Sequence, residues 1–87
     1  MSKAGVIGMS KYLATYLAPD VRVNTIVPGG VRADFDPEFI ENYGEMTPMK
    51  RMMEKNEILG AIHYLASDSS SYTTGSELTV DGGWGAW

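Results

Sequence analysis

The chain has 87 residues and a formal net charge of −4, from 11 acidic and 7 basic side chains. Hydrophobic residues at 44% and charged residues at 21% are typical of globular chains and argue against intrinsic disorder and collagen. The acidic balance argues against nucleic-acid binding, and the absence of cysteine excludes disulfides and thiolate chemistry. No apolar run approaches the roughly 20 residues that span a membrane, so we expect a cytoplasmic protein. A chain of 87 residues can bury only one thin core.

The first part of the chain predicts a helix followed by a strand. Between residues 2 and 17, apolar residues recur every three or four positions and so share one helix face. They are Val6, Met9, Leu13, Tyr16 and Leu17. Residues 21–27, VRVNTIV, are rich in β-branched side chains and bounded by prolines, which indicates a buried parallel strand. Residues 28–34, PGGVRAD, then lie at the carboxyl end of that strand, where open α/β sheets bind ligands.

The second part predicts a polar insert, a helix and another strand. Residues 35–53 are polar and Met-rich, with one or two helical turns expected at 37–43. The next helix, about Lys55–Ala66, carries an apolar stripe: Ile58, Leu59, Ile62, Leu65 and Ala66. Glu77–Val80 forms a second short strand that ends at the following Asp-Gly-Gly. Strand, helix and strand make one βαβ unit, at the edge of a doubly wound α/β sheet.

Several segments resemble the classical short-chain dehydrogenase/reductase family, in order and in spacing. Ser2-Lys3-Ala4 resembles the end of its Tyr-x-x-x-Lys motif, and residues 24–29, NTIVPG, resemble the strand and loop that meet the nicotinamide. Residues 65–68 (LASD), 72–75 (YTTG) and 80–83 (VDGG) resemble its closing signature. The resemblance implies that residues 1–87 are one partial domain: the C-terminal helix-strand-loop-helix-strand portion of a Rossmann-like doubly wound parallel sheet.

The resemblance also implies site residues. Lys3 would be catalytic, because its ammonium lowers the pKa of a tyrosine that exchanges a proton while hydride passes to or from NAD or NADP. Lys3 would also bind the nicotinamide ribose hydroxyls. Pro28 and Gly29 would turn the chain, and the backbone of Val31 would meet the nicotinamide carboxamide. Ala33 stands where the family usually has threonine, so it cannot donate a hydroxyl hydrogen bond to the cofactor.

Residues 35–53 correspond to the family's substrate-covering loop and are named the lid segment here. This segment would select the small-molecule carbonyl or alcohol substrate, with sugar-derived, keto-acyl and steroid compounds all left open. The motif's tyrosine would stand two residues before Met1, and the catalytic serine and Gly-rich dinucleotide loop are also absent from the 87 residues. We therefore expect a fragment of a larger oxidoreductase, inactive by itself.

The alternative is a non-catalytic oligomerisation or interaction module derived from that family. Related enzymes commonly form dimers or tetramers through the corresponding helices and last strand, so the resemblance implies a homo-oligomer. The apolar helix faces are present in this chain, and an unpaired strand edge favours association with a second copy or with a full-length relative.

The remaining side chains that could carry chemistry give weaker patterns. His63, the single histidine, falls on the polar side of its helix, which predicts an exposed residue. Four acidic residues lack the spacing of a calcium loop, and we assign no metal: Asp34, Asp36, Glu38 and Glu41.

Two groups of larger side chains leave two interpretations each. Four methionines either line an adaptable ligand pocket or pack inside the lid and core: Met46, Met49, Met52 and Met53. Trp84 and Trp87 either pack against a partner subunit or belong to a frayed terminus.

Overall fold

The computed structural model describes residues 3–86, except for the side chain of Lys3. Its elements in chain order are α1 (Lys3–Tyr16), β1 (Thr25–Pro28), α2 (Pro37–Glu45), α3 (Lys55–Ala66) and β2 (Glu77–Val80), with 3₁₀ turns at Asp68–Ser70 and Trp84–Ala86. The two strands pair in parallel, with Thr25 opposite Glu77 and Pro28 opposite Val80. The predicted βαβ unit is confirmed, since α3 connects two adjacent parallel strands.

Strand β1 begins four residues later than the sequence predicts. Before Thr25, side chains replace part of the regular backbone ladder. The N–H of Val23 donates to the hydroxyl of Thr74 at 3.1 Å. The side-chain amide of Asn24 accepts from the N–H of Ser76 at 3.0 Å and donates to the carbonyl of Thr73 at 2.9 Å. These contacts align the chain for pairing before the strand itself starts.

Helix α2 is longer than the one or two turns expected at 37–43. It begins with Pro37, whose missing N–H costs nothing in the first turn of a helix. The carboxylate of Asp36 accepts from the N–H of Glu38 at 2.8 Å and so caps the amino end. These two residues favour the start of the helix, which continues to Glu45.

The hydrophobic core of the described residues is small. Ala14 and Met52 are buried, with 2% and 4% of their surface exposed. By contrast, Tyr16 on the apolar face of α1 is 71% exposed, and Leu59 on the stripe of α3 is 59% exposed. The predicted apolar faces are therefore only partly covered. None of the helices within residues 3–86 is long and apolar enough to cross a membrane.

A set of contacts centred on Arg22, named the Arg22 cluster, joins the end of α3 to the turn before β2. The part-buried guanidinium donates to four oxygen atoms. They are the carbonyl oxygens of Leu65 (3.3 Å), Ser67 (3.1 Å) and Thr73 (3.4 Å) and the hydroxyl oxygen of Ser70 (2.7 Å). Ser70 is only 1% exposed, so its hydroxyl has little access to water. A planar guanidinium with several N–H donors suits such a group of acceptors.

Replacing Arg22 with lysine is expected to lower the free energy of unfolding by about 2 kcal/mol, because the three donors of a lysine ammonium cannot serve all four partly buried acceptors. Urea unfolding of the chain, followed by circular dichroism, measures this change. Arg32→Lys is the matched control, since Arg32 makes one exposed ion pair with Glu54, at 3.1 Å. The control should change stability by no more than about 0.5 kcal/mol. Equal effects of the two substitutions would contradict the role given to the Arg22 cluster.

Candidate functional site

The loop that follows β1, residues 29–32, lies against the end of β2. The N–H of Gly29 donates to the carbonyl of Val80 at 2.8 Å, which extends the pairing of the two strands. A Cβ atom on Gly29 would lie 2.9 Å from the Cα of Asp81, closer than a real side chain can approach. Glycine at position 29 therefore permits the close contact between the two strand ends. Pro28, the last residue of β1, places this loop at the carboxyl edge of the sheet.

The backbone of Val31 is held by its neighbours and not by its own polar groups. Val31 forms a parallel bridge with Met53, in which Met53 N–H donates to Gly30 O at 3.0 Å and Arg32 N–H donates to Met53 O at 2.7 Å. In this pattern the N–H and C=O of Val31 point away from Met53. Neither group makes a hydrogen bond within residues 3–86. Val31 can therefore offer one donor and one acceptor to a ligand.

The lid segment contacts this loop through Tyr43 of α2. The phenol oxygen accepts a hydrogen bond from the N–H of Gly30 at 2.6 Å. The ring of Tyr43 stacks on Trp84, with centroids 5.0 Å apart and an angle of 20° between the planes. No motif in the sequence singles out Tyr43; its only local signal is its place at the end of the predicted helical turns. Trp84 packs within the chain and is not frayed, whereas Trp87 lies outside the described residues.

The carboxyl half of the lid segment is fixed at two further points. Thr47, only 1% exposed, donates its hydroxyl to the carbonyl of Tyr43 at 3.0 Å. The N–H of Met49 donates to the carbonyl of Gly82 at 3.1 Å. A cavity of about 80 Å³ lies between the lid segment and the loop, and Met49 and Met53 both line it. Met52 is buried and so packs inside the chain, whereas the role of the other methionines as a ligand pocket stays a prediction.

The other predicted residues lie apart from this loop. His63 is exposed on α3, as the sequence predicts. Asp36 caps α2, and within the described part of the chain no three His, Cys, Asp or Glu side chains are grouped to hold a metal ion. Ala33 is exposed, and its carbonyl accepts from the N–H of Phe35 at 2.8 Å. Lys3 begins α1, but its side chain lies outside the described residues.

An ion pair joins the end of the lid segment to the start of α3. Arg51 contacts both carboxylate oxygens of Glu57, at 2.5 and 2.8 Å, and the same carboxylate accepts from the N–H of Glu54 at 2.9 Å. The hydrogen bond from Arg51 is the main cause that lowers the pKa of Glu57 from its ordinary value of 4.5 to about 2. The N–H of Glu54 lowers it further.

Comparison with known proteins identifies the family of this chain. A family model described as enoyl-(acyl carrier protein) reductase matches residues 1–85. A short-chain dehydrogenase of Leptospira borgpetersenii, solved with bound NAD+, superposes with a TM-score of 0.85 at 46% identity, over 94% of this chain and 33% of the other. This chain belongs to the short-chain dehydrogenase/reductase family.

Two curated relatives of this family member are named for polyols. The D-arabinitol 2-dehydrogenase (ribulose-forming) of Candida tropicalis is 48% identical over 100% of this chain and 34% of its own length. An NADP-dependent mannitol dehydrogenase of Alternaria alternata is 43% identical over 97% of this chain and 33% of its own length. The chain thus spans about a third of the length of the curated relatives that it matches.

We predict that Gly29→Ala destabilises this family member by about 1–3 kcal/mol, because the new methyl group must separate the strand ends at Asp81. Urea unfolding provides the measurement. Gly60→Ala is the control: among the described residues, no atom outside the helix lies within 4 Å of a Cβ at this position in α3. The control should increase stability by about 0.5–1 kcal/mol, since alanine favours a helix more than glycine does. An unchanged stability of the Gly29→Ala variant would contradict the close approach of Gly29 to Asp81.

The depressed pKa of Glu57 predicts an acid-dependent loss of stability. Ionised Glu57 stabilises the folded chain above pH 4.5, and this contribution is lost as the pH falls from 4.5 towards 2. Glu57→Gln should therefore lower the urea midpoint at pH 7, with the difference from wild type shrinking at pH 3 and below. Glu41→Gln, which removes an exposed carboxylate without an ion pair in residues 3–86, is the matched control and should change the urea midpoint little at pH 7. A constant difference for Glu57→Gln would refute the assignment.

Proposed function

We propose that this chain is the carboxyl-terminal third of an NAD(P)-dependent oxidoreductase that transfers hydride between a nicotinamide and a carbonyl or hydroxyl carbon. The observation that carries this proposal is the free backbone of Val31 at the strand end, in a chain that matches the family over nearly its whole length. A nicotinamide carboxamide has both a carbonyl and an amide N–H, which complement the donor and the acceptor that Val31 leaves open.

The residues that hold this loop fit a bound nicotinamide. Pro28 ends β1, and Gly29 lets the loop approach the end of β2, so Val31 is placed beyond the carboxyl edge of the sheet. Ligands of open α/β sheets bind at this edge. When bound, the nicotinamide supplies or accepts the hydride. The chain's own contribution is to orient the ring through Val31 and to exclude water with the lid segment.

We further propose that Lys3 is the catalytic lysine of the Tyr-x-x-x-Lys motif. Its ammonium would hold the nicotinamide ribose hydroxyls and lower the pKa of the motif's tyrosine, so that the phenol can exchange a proton with the substrate oxygen. In this proposal the tyrosine, the catalytic serine and the Gly-rich dinucleotide loop come from residues outside the 87. The isolated chain is then inactive.

The substrate class that we propose is a polyol or the corresponding ketose. The names of the two curated relatives, D-arabinitol 2-dehydrogenase and mannitol dehydrogenase, support this class. The proposal leaves the cofactor as NAD or NADP, because the dinucleotide half of such folds carries the residues that contact the ribose 2′ position. The description of the family model names an acyl carrier protein substrate, and we treat acyl substrates as the competing class.

We also propose that the complete enzyme is a cytoplasmic homo-oligomer. Tyr12 and Tyr16 stack on α1 with centroids 5.9 Å apart and are 63% and 71% exposed. Leu59 and Ile62 are exposed on α3. Aromatic residues are enriched at protein interfaces, and adjacent exposed apolar residues favour burial against a partner.

The test begins with the coding DNA upstream of Met1, which should carry an in-frame tyrosine codon two positions before it. The longer protein should reduce NAD+ or NADP+ with D-arabinitol or mannitol, followed at 340 nm, whereas the 87-residue chain should give no turnover. Lys3→Met in the longer protein should lower kcat about 100-fold or more, in line with the loss of proton-transfer catalysis.

Controls distinguish the substrate classes and the assembly. An acyl thioester with a keto or enoyl group serves as the competing substrate, and faster turnover of it than of polyols would overturn the polyol assignment. Turnover by the 87-residue chain alone would refute the proposal that it is inactive. The longer protein should sediment as a dimer or a larger species, and a monomer would contradict the homo-oligomer.

A further inference from the structure

Tyr43 makes two contacts with parts of the site that are distant in sequence and one contact within the lid segment. Its phenol oxygen accepts from Gly30 N–H, its ring stacks on Trp84, and its carbonyl accepts from the hydroxyl of Thr47. Phe39 also lies beside the ring, with centroids 6.4 Å apart. Tyr43 therefore joins α2, the loop after β1 and the carboxyl end of the described chain at one point.

The contact with Gly30 leaves no room for a larger loop residue. A Cβ atom on Gly30 would lie 2.4 Å from Cζ of Tyr43 and 2.6 Å from its oxygen. The phenol ring thus lies directly against the loop backbone. Because the Gly30 N–H is bound on this side and the Gly30 carbonyl is bound by Met53 N–H, both polar groups of residue 30 are fixed.

Val31 follows Gly30, and its N–H and C=O make no hydrogen bond within residues 3–86. The peptide plane that leads into Val31 contains the Gly30 carbonyl and is fixed by Met53 N–H, whereas the plane before it contains the Gly30 N–H and is fixed by Tyr43. The bridge to Met53 fixes the other side through Arg32 N–H. The two bonds to Met53 therefore set the directions of the open N–H and C=O of Val31. Tyr43 fixes the peptide plane before Gly30 and so limits the rotation of this glycine, which would otherwise let the loop change its path before Val31.

We propose that Tyr43 is a positioning residue: its phenol orients the loop of residues 29–32 so that Val31 faces the nicotinamide, and its stacking on Trp84 keeps the lid segment against that loop. This inference rests on the proposed function for the identity of the ligand. The contact itself does not depend on any ligand. Tyr43 acts through the Gly30 peptide and takes no part in proton or hydride transfer.

The first experiment is amide hydrogen exchange on the chain, without cofactor or substrate. Tyr43→Phe removes the acceptor of Gly30 N–H and keeps a ring that can stack on Trp84. The Gly30 amide should then exchange about tenfold faster, as expected for the loss of one protecting hydrogen bond. The Gly29 amide, which donates to Val80 O, should keep its rate. Equal acceleration at both amides, or none at Gly30, overturns the proposal.

The second experiment is steady-state kinetics of the complete enzyme. Tyr43→Phe should raise KM for the nicotinamide cofactor about fivefold and leave kcat within about twofold, because the loop is ordered on binding and not in the chemical step. Trp84→Leu should raise the same KM, since the ring of Tyr43 loses its support. Tyr72→Phe is the control, because Tyr72 is fully exposed and its hydroxyl makes no hydrogen bond in the described residues.

The two experiments separate the inference from the proposed function. An unchanged KM with Tyr43→Phe, or a loss confined to kcat, overturns the positioning role. Absence of turnover in the wild-type enzyme contradicts the proposed function, while the hydrogen exchange of Gly30 still decides whether Tyr43 holds the loop.

Discussion

The cluster of hydrogen bonds around Arg22 is the constraint on which the site depends. Parallel strands cannot be joined by a tight turn, so the chain must leave β1, form α3 and return in register. The Arg22 guanidinium, just before β1, binds carbonyls at the end of α3 and in the turn before β2, and a cation is favoured at this helix end. The cluster thereby holds together residues that are separated by 43 to 51 positions in the sequence. The register of β2 beside β1, and then the meeting of Gly29 with Asp81, follow from this attachment.

Because the hydrophobic core is small, polar contacts largely determine the position of the lid segment. Few hydrophobic side chains are fully buried in the described residues, so packing alone does not determine where the lid segment lies. Its position follows from bonds at its middle and in its carboxyl half: the phenol of Tyr43, the N–H of Met49 and the bridge at Met53. These contacts all converge on residues 29–32 or on Gly82 beside them. The loop of residues 29–32 therefore both forms the candidate site and holds the lid segment in place.

The sequence predicted those elements whose causes are local. Helix α3 follows from apolar spacing, and β2 from a short apolar segment between turn residues, and both occur at the expected residues. The start of β1 was wrong because Asn24 and Thr74 take part in side-chain bonds that only the folded chain brings together. Arg22 and Tyr43 were missed for the same reason, since their partners lie far away or are backbone groups. Gly29 and Val31 were predicted only through the family resemblance; their spacing alone resembles an ordinary turn.

The exposed helix faces indicate where most of the stability of the complete protein arises. Covering one leucine or isoleucine side chain stabilises a protein by about 1.5–3 kcal/mol, whereas one neutral hydrogen bond contributes about 1 kcal/mol. Met9, Leu59 and Ile62 are each about half exposed, and they project from two different helices. Burial of these faces against further chain, in the same subunit or another, would therefore outweigh the contacts at Arg22 and Tyr43 in total free energy. Those directional contacts have the different role of choosing one register and one loop conformation, which nonspecific apolar burial cannot do.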